Sequence, residues 1–295
     1  ELPNDATYGG NTDNKYTQQY GKQQGKYYVP QRASAGLDPW ATPQAYDNAK
    51  DFFDTGITWS NSLNVAQMLE KSSYSISLGN THQDGIISST GMDRYNVKVS
   101  ADTKLTSNWS SGFTANYITT SIDKAVTSGN GLLRTVYAAP PSYDLAGIPS
   151  HVDGNLYAQN SFRGSFDNAY WAMENNKFTE DTNRFFGNVY TSYQTDFGTT
   201  NHKLNAKYMV GVDAYTTHYV DSYGYGSNTG GGRGQIENYG WTNATYNSLL
   251  TINYDWHINE DWGLNAVVGN EIIQSNRKKY YEYGTNYNFP GWNHI

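Results

Sequence analysis

The chain has no cysteine, which excludes a disulfide framework, a thiolate metal site and a Cys/His nucleophile. It has little charge: Asp, Glu, Lys and Arg make up 16% of its 295 residues, against about 25% in ordinary soluble domains. The balance is acidic, with a net charge of −7 and a pI near 5.3, so nothing argues electrostatically for nucleic acid as a partner. No run approaches about 18 consecutive apolar residues, which excludes a transmembrane helix but not a β-barrel, whose strands are only half apolar. Charge has not been replaced by grease, since mean hydropathy is −0.74. What fills the gap is 29 Gly, 27 Tyr and other polar neutral residues, and an aromatic content of 15% argues against disorder.

Catalytic patterns are missing too. His82, His151, His202, His218, His257 and His294 are scattered, with no HExxH and no i, i+4 pair to hold a metal. There is no GxSxG, and no spacing singles out a carboxylate pair for glycoside hydrolysis. Gly230 to Gly234 lacks the lysine and the strand-to-helix setting of a phosphate loop and reads as a flexible connection. The sequence points to a non-enzyme without cofactor or metal.

What is present is alternation. From Tyr95, every second side chain is apolar or near-neutral (Val97, Val99, Ala101, Thr103, Leu105), with Asn96, Lys98, Ser100, Asp102 and Lys104 between them. At 100° per residue the apolar set falls on no single helical face, so the stretch is a strand. Similar runs of about 8–13 residues begin at Ile57 and recur to Val268, giving about eight strands. They include Leu204, Ala206, Tyr208, Val210 and Val212, with Lys207 and Asp213 on the opposite parity. Residues 1–56 are polar, rich in Tyr, Gln and Gly, and show no sustained period, so they read as a linker or loop leading into the strands. The barrel segment is then 57–295.

Short turns at Glu70–Ser72, Thr106–Asn108, Gly198–Asn201 and Ile258–Asp261 alternate with longer connections at 82–92, 121–183 and 216–243. This rhythm matches membrane barrels, with tight turns on the periplasmic side and long loops outside. Trp109, Phe197, Trp256 and Trp262 gather at the short-turn end, as a headgroup-level aromatic girdle requires; core aromatics of a soluble sheet are the competing reading. Eleven residues at about 3.3 Å, tilted about 40°, cover roughly 28 Å, close to the apolar band of such barrels. In that reading Asn96, Lys98, Asp102, Lys104, Lys207 and Asp213 face the lumen, and Val97, Val99, Tyr208 and Val210 face lipid.

Residues 72–105 (SSYSISLGNTHQDGIISSTGMDRYNVKVSADTKL) resemble the barrel of SusC-like (RagA-like) TonB-dependent outer-membrane transporters of Bacteroidetes. So do Phe53-Asp-Thr-Gly56, Gly131-Leu-Leu-Arg-Thr-Val-Tyr-Ala-Ala-Pro-Pro141, Asn168-Ala-Tyr-Trp171 and Thr182-Asn-Arg-Phe-Phe-Gly-Asn-Val189, in family order over about 50–200. The resemblance implies an all-β, transmembrane antiparallel barrel of about 22 strands with a plug domain, of which this chain carries about eight strands and no plug. It implies uptake of a glycan or oligopeptide together with a SusD-like surface lipoprotein, driven through TonB by parts of the protein not seen here. The start at Glu1-Leu-Pro-Asn fits either a removed signal or an internal piece.

In the long connection, Leu132, Leu133, Val136 and Tyr137 have helical spacing that Pro140 and Pro141 would stop. The resemblance places this region near the external mouth. Arg134, Tyr137, Tyr143, Tyr157, Tyr170 and Trp171, with Phe162 and Phe166, are candidates to stack on and hydrogen-bond a sugar or peptide; packing of the loop on itself and on a partner is the alternative. Two readings compete with the importer. One is a secreted β-sandwich adhesin or carbohydrate-binding module, and the other a self-closed small barrel in which strand 57–69 pairs with 261–273.

Overall fold

The computed structural model describes residues 4–126, 131–199, 201–229 and 231–292; Thr200, Gly230 and His294, which enter the patterns above, lie outside them. The chain is all-β in its bulk and forms two parts, a tall sheet and a small cap at one end of it. The first stretch carries α1 (Asp5–Tyr8), α2 (Lys15–Tyr20), β1 (Tyr27–Tyr28), α3 (Pro30–Ser34), β2 (Trp40–Ala41) and α4 (Asn48–Phe52). Four strands follow, β3 (Thr58–Met68), β4 (Ser72–Asp84), β5 (Gly91–Lys104) and β6 (Trp109–Lys124). The long connection holds α5 (Leu132–Ala138), β7 (His151–Val152), β8 (Asn155–Gln159) and α6 (Ala169–Asn175). The chain returns in β9 (Lys177–Thr195), β10 (His202–Tyr223), β11 (Gln235–His257) and β12 (Gly263–Thr285).

The eight long strands form one antiparallel sheet in the order β12-β11-β10-β9-β6-β5-β4-β3. β3 and β12 are its two edges, so the sheet is not closed and the pairing of 57–69 with 261–273 expected of a small barrel does not form. A sandwich needs a second sheet over the first. Among the described residues the other two sheets are the β1–β2 and β7–β8 pairs, both in the cap.

Alternation sets the two faces. Antiparallel partners point to the same side, so the register carries one parity across the sheet. Val97 stands in the row Leu63, Leu78, Val97, Tyr117, Phe185, Ala214, Ala244, whereas Lys98 stands in the row Ser77, Lys98, Asn116, Phe186, Asp213, Thr245, Ser275. Neither face is the core. The apolar side chains of the first face are open, with Ile76 45%, Phe113 43%, Val189 53% and Val268 68% exposed. The hydrophobic core lies in the cap, where Tyr27, Val29 and Phe52 pack with Val136, Leu145, Ile148 and Trp171.

The short turns have local causes. Thr106 Oγ1 accepts the Trp109 N–H at 3.0 Å, and Asn259 Oδ1 accepts the N–H groups of Asp261 and Trp262 at 3.0 and 2.9 Å. The turn after β9 places Phe197 at φ 56° and Gly198 at φ 77°.

Two expectations are redrawn. Residues 4–56 carry short helices and buried Tyr27, Tyr28, Trp40 and Phe52; Tyr28 packs with Tyr16, Tyr20 and Trp40 inside the segment, and Tyr27 and Phe52 reach Ser142 and Tyr170, so no short-range period announces them. The long connections are also shorter than expected, at 125–176 and 224–234, because β6, β9, β10 and β11 run on past the apolar belt. Strand pairing holds them there without apolar alternation on either side.

Candidate functional site: the polar face and its cap

The register gathers Asn96, Lys98, Asp102, Lys104, Lys207 and Asp213 on one face. Most of that charge is partnered within the face. Arg184 donates from Nε and Nη2 to both carboxylate oxygens of Asp213 at 2.8 and 2.6 Å, a two-point pair that fixes the guanidinium over Phe186, 4.9 Å from its ring centre. Tyr190 donates its hydroxyl to Asp102 Oδ1 at 2.6 Å, and Lys207 Nζ lies 4.4 Å over the Tyr190 ring. Asn96 sits opposite Gly79, where a Cβ would come within 2.4 Å of Asn96 Oδ1, so the glycine leaves space for the amide. The face is thus polar and mixed in sign, while the other is aliphatic and aromatic.

Further from the short turns the same face carries an aromatic group that alternation alone did not show. Tyr219 and Tyr239 stack with ring centres 4.9 Å apart, and Trp241 lies 5.4 Å from Tyr219 and Tyr281 6.4 Å from Tyr239. Lys124 Nζ stands 4.5 Å over Tyr219, Arg277 lies 4.9 Å over Trp241, and Tyr239 donates to Asp221 Oδ2 at 3.0 Å. The signal for it in the sequence is Tyr219, Asp221 and Tyr223 at period two, inside 216–243, which the sequence pattern reads as a long connection.

Trp109, Phe197, Trp256 and Trp262 all lie at the short-turn end and are 43%, 60%, 37% and 70% exposed. Trp109 packs on Tyr193 at 4.9 Å and Trp256 on His202 at 5.6 Å. Among the described residues no three His, Asp or Glu side chains gather in a metal-binding cluster, and no helix is long and apolar enough to cross a membrane.

The cap divides its candidate residues into two sets. Trp171 is fully enclosed and donates Nε1–H to the Leu156 carbonyl at 3.0 Å. Tyr143 is buried against Phe162, and Tyr170 packs on Phe52 while donating to the Asp51 carbonyl at 3.3 Å. Arg134 stacks on Phe166 with 4.1 Å to the ring centre. Tyr137 and Tyr157 are open, 68% and 39% exposed. α5 ends at Ala138, just before Pro140, and Asn168 caps α6 by accepting the N–H groups of Tyr170 and Trp171.

Buried amides tie the cap together. Asn48 Oδ1 accepts the Leu145 N–H at 3.1 Å, and Asn160 donates to the Gln31 carbonyl at 2.7 Å. Asp167 binds the glycine-rich connection to it: Oδ2 accepts from Ser227 Oγ at 2.6 Å and Oδ1 from the Asn228 N–H at 2.8 Å and Gln159 Nε2 at 2.7 Å.

The fold is similar to part of a known transporter. Solved structures of the RagAB peptide importer match in the "closed-closed" state with a TM-score of 0.64 and 16% identity, covering 83% of this chain and 27% of that one. The "open-open" state matches with a TM-score of 0.65 and 16% identity, over 83% of this chain and 28% of that one. No family model and no curated protein matches the sequence. The chain therefore spans about a quarter of the length of the solved chains that it matches, and the likeness in fold extends over most of its own residues.

Proposed function

We propose that this chain is a stretch of the barrel wall of an outer-membrane, TonB-dependent nutrient importer of the SusC-like (RagA-like) kind found in Bacteroidetes. In this reading it works with a SusD-like surface lipoprotein and takes up a glycan or oligopeptide. The observation that carries the proposal is the single antiparallel sheet with one apolar and one polar face, both uncovered. Such a sheet is stable where lipid takes one face and water the other, and where further strands satisfy its two edges. The RagAB likeness over most of the chain supports the same reading.

Asn96, Lys98, Asp102, Lys104, Lys207 and Asp213 then line the lumen, and Trp109, Phe197, Trp256 and Trp262 mark the periplasmic headgroup level. The cap stands at the external mouth, where Arg134, Tyr137, Tyr143, Tyr157, Tyr170 and Trp171 shape the entrance. Of these, Tyr137 and Tyr157 are the pair most open to substrate or partner, and enclosed Trp171 holds the cap's form. No catalytic step is needed; energy delivered through TonB opens the path. The test is cell fractionation and extraction. The protein is expected in the outer-membrane fraction and to require detergent, and recovery of a monomeric, detergent-free chain overturns the proposal.

A further inference from the structure

The aromatic group on the polar face ends, on its β12 side, at two cations. Trp241 is the cross-strand partner of Lys279, and Asn243 that of Arg277. Residues two apart in a strand point to the same side, so both cations share the face of Trp241, about 7 Å apart along β12. Arg277 lies 4.9 Å over the Trp241 ring. Both cations are exposed, and among the described residues neither has an anionic partner.

The acids of the same group are placed differently. Asp221 accepts the Tyr239 hydroxyl at 3.0 Å, and Glu180 accepts from Lys124 Nζ at 3.3 Å. Glu237 stands opposite Tyr283, four residues along β12 from Lys279, or about 13 Å away. Negative charge at this level is thus taken up or set apart, and the positive charge of Arg277 and Lys279 is not. Trp241 adds an unused donor. Its Nε1–H is enclosed and has no acceptor among the described residues, although buried polar groups are as a rule hydrogen-bonded.

We propose that Arg277, Lys279 and Trp241 form a site for an oxyanion group carried on a flat ring. A carboxylate, sulfate or phosphate accepts from two cations at once, and the planar fork of Arg277 suits two of its oxygens. The stacked rings of Tyr219 and Tyr239, with Trp241 beside them, supply faces for the ring that carries the anion. When the guanidinium turns from the indole face to the anion, Nε1–H gains an acceptor. A cationic solute would have to draw on Asp221 and Glu180, which already hold Tyr239 and Lys124.

For its role the site rests on the importer reading, in which it favours anionic solutes on the inner wall, but binding is measured without transport. The full chain in non-ionic detergent is titrated with benzoate, phenyl sulfate and phenyl phosphate, against neutral benzamide and cationic benzylammonium, by saturation-transfer NMR and calorimetry. At least one of the anions is expected to bind in the millimolar range or tighter, and benzamide about tenfold more weakly or less. The tightest of the three names the oxyanion. Lys279→Gln and Arg277→Gln, both at exposed positions, are each expected to weaken binding about five- to tenfold. Lys104→Gln, on the same face near the short turns, leaves it unchanged. The competing occupant is a carboxylate on the strand that pairs with β12, which would leave no probe bound. Binding of no anion, equal binding of benzoate and benzamide, or equal losses in Lys104→Gln and Lys279→Gln overturns the site. A detergent-free monomer that binds benzoate through Lys279 sinks the importer and keeps the site; an outer-membrane chain that binds no anion does the reverse.

Discussion

Charging the apolar face at different depths separates a wall in lipid from a sheet in water. Val210 stands mid-belt in β10, between the aromatic end at Trp256 and the polar residues beyond Ala214, with Val189 and Ser248 beside it in register. It is 41% exposed, so an arginine there meets no packed neighbour and the cost comes from the medium alone. On the lipid side of a barrel, Arg at the midplane costs about 2–4 kcal/mol and near the interface about 0–1 kcal/mol. Val210→Arg is therefore expected to lower the folding constant by about 30- to 1,000-fold, taking about 1.4 kcal/mol per factor of ten. Leu204→Arg, three rows closer to the girdle, should lower it less than about fivefold. Met209→Arg, one residue away on the other face, should cost about as little as Leu204→Arg. The assay is urea unfolding of the protein assembled in phospholipid vesicles, followed by tryptophan fluorescence. Equal costs at Val210 and Leu204, or a larger cost at Met209 than at Val210, refute the assignment of the two faces.

Two further outcomes follow from the topology and the cap. Because the chain has no cysteine, a Ser60→Cys, Val267→Cys double variant reports only on the two edges; no intramolecular disulfide should form under oxidation, since bridging needs Cα atoms within about 7 Å, and its formation would mean that the eight strands close on themselves. Asp167→Ala removes the acceptor of three hydrogen bonds and leaves the hydroxyl O–H of fully buried Ser227 without an acceptor; the expected loss is about 3 kcal/mol, read as faster hydrogen exchange at the Asn228 amide with β5 unchanged, and equal protection in both proteins would show that the clasp does not hold this connection.

The wall was legible in the sequence because its information is local. Tyr95 to Leu105 alternates at the period of a strand, and the short turns name their own residues, Thr106 and Asn259. The register then brings six separately read polar residues to one face. The cap was not legible, because what holds it is long-range: Tyr27 reaches Ser142, Asn160 reaches Gln31, and Asn48 reaches Leu145. No window of the sequence contains both members of any of these pairs. The aromatic residues of 131–173 were visible, but their division into enclosed Trp171 and Tyr143 and open Tyr137 depends on partners from 4–56. The upper parts of β10 and β11 were hidden differently. Above the belt both faces are polar or aromatic, so the contrast that marks a strand disappears although the pairing continues.

That continuation has a consequence for how the cap end of the sheet tolerates change. β3–β6 have 11, 13, 14 and 16 residues, whereas β9–β12 have 19, 22, 23 and 23. The taller side is a ladder of paired backbone, and a ladder counts residues. One residue inserted between Tyr215 and His218 would turn Tyr219 and Asp221 to the opposite side and bring His218 and Val220 in their place. The same insertion within 224–234 shifts no register and displaces no ring. The taller half of the sheet is thus a place where substitutions adjust the surface one side chain at a time, and length changes are confined to its crest.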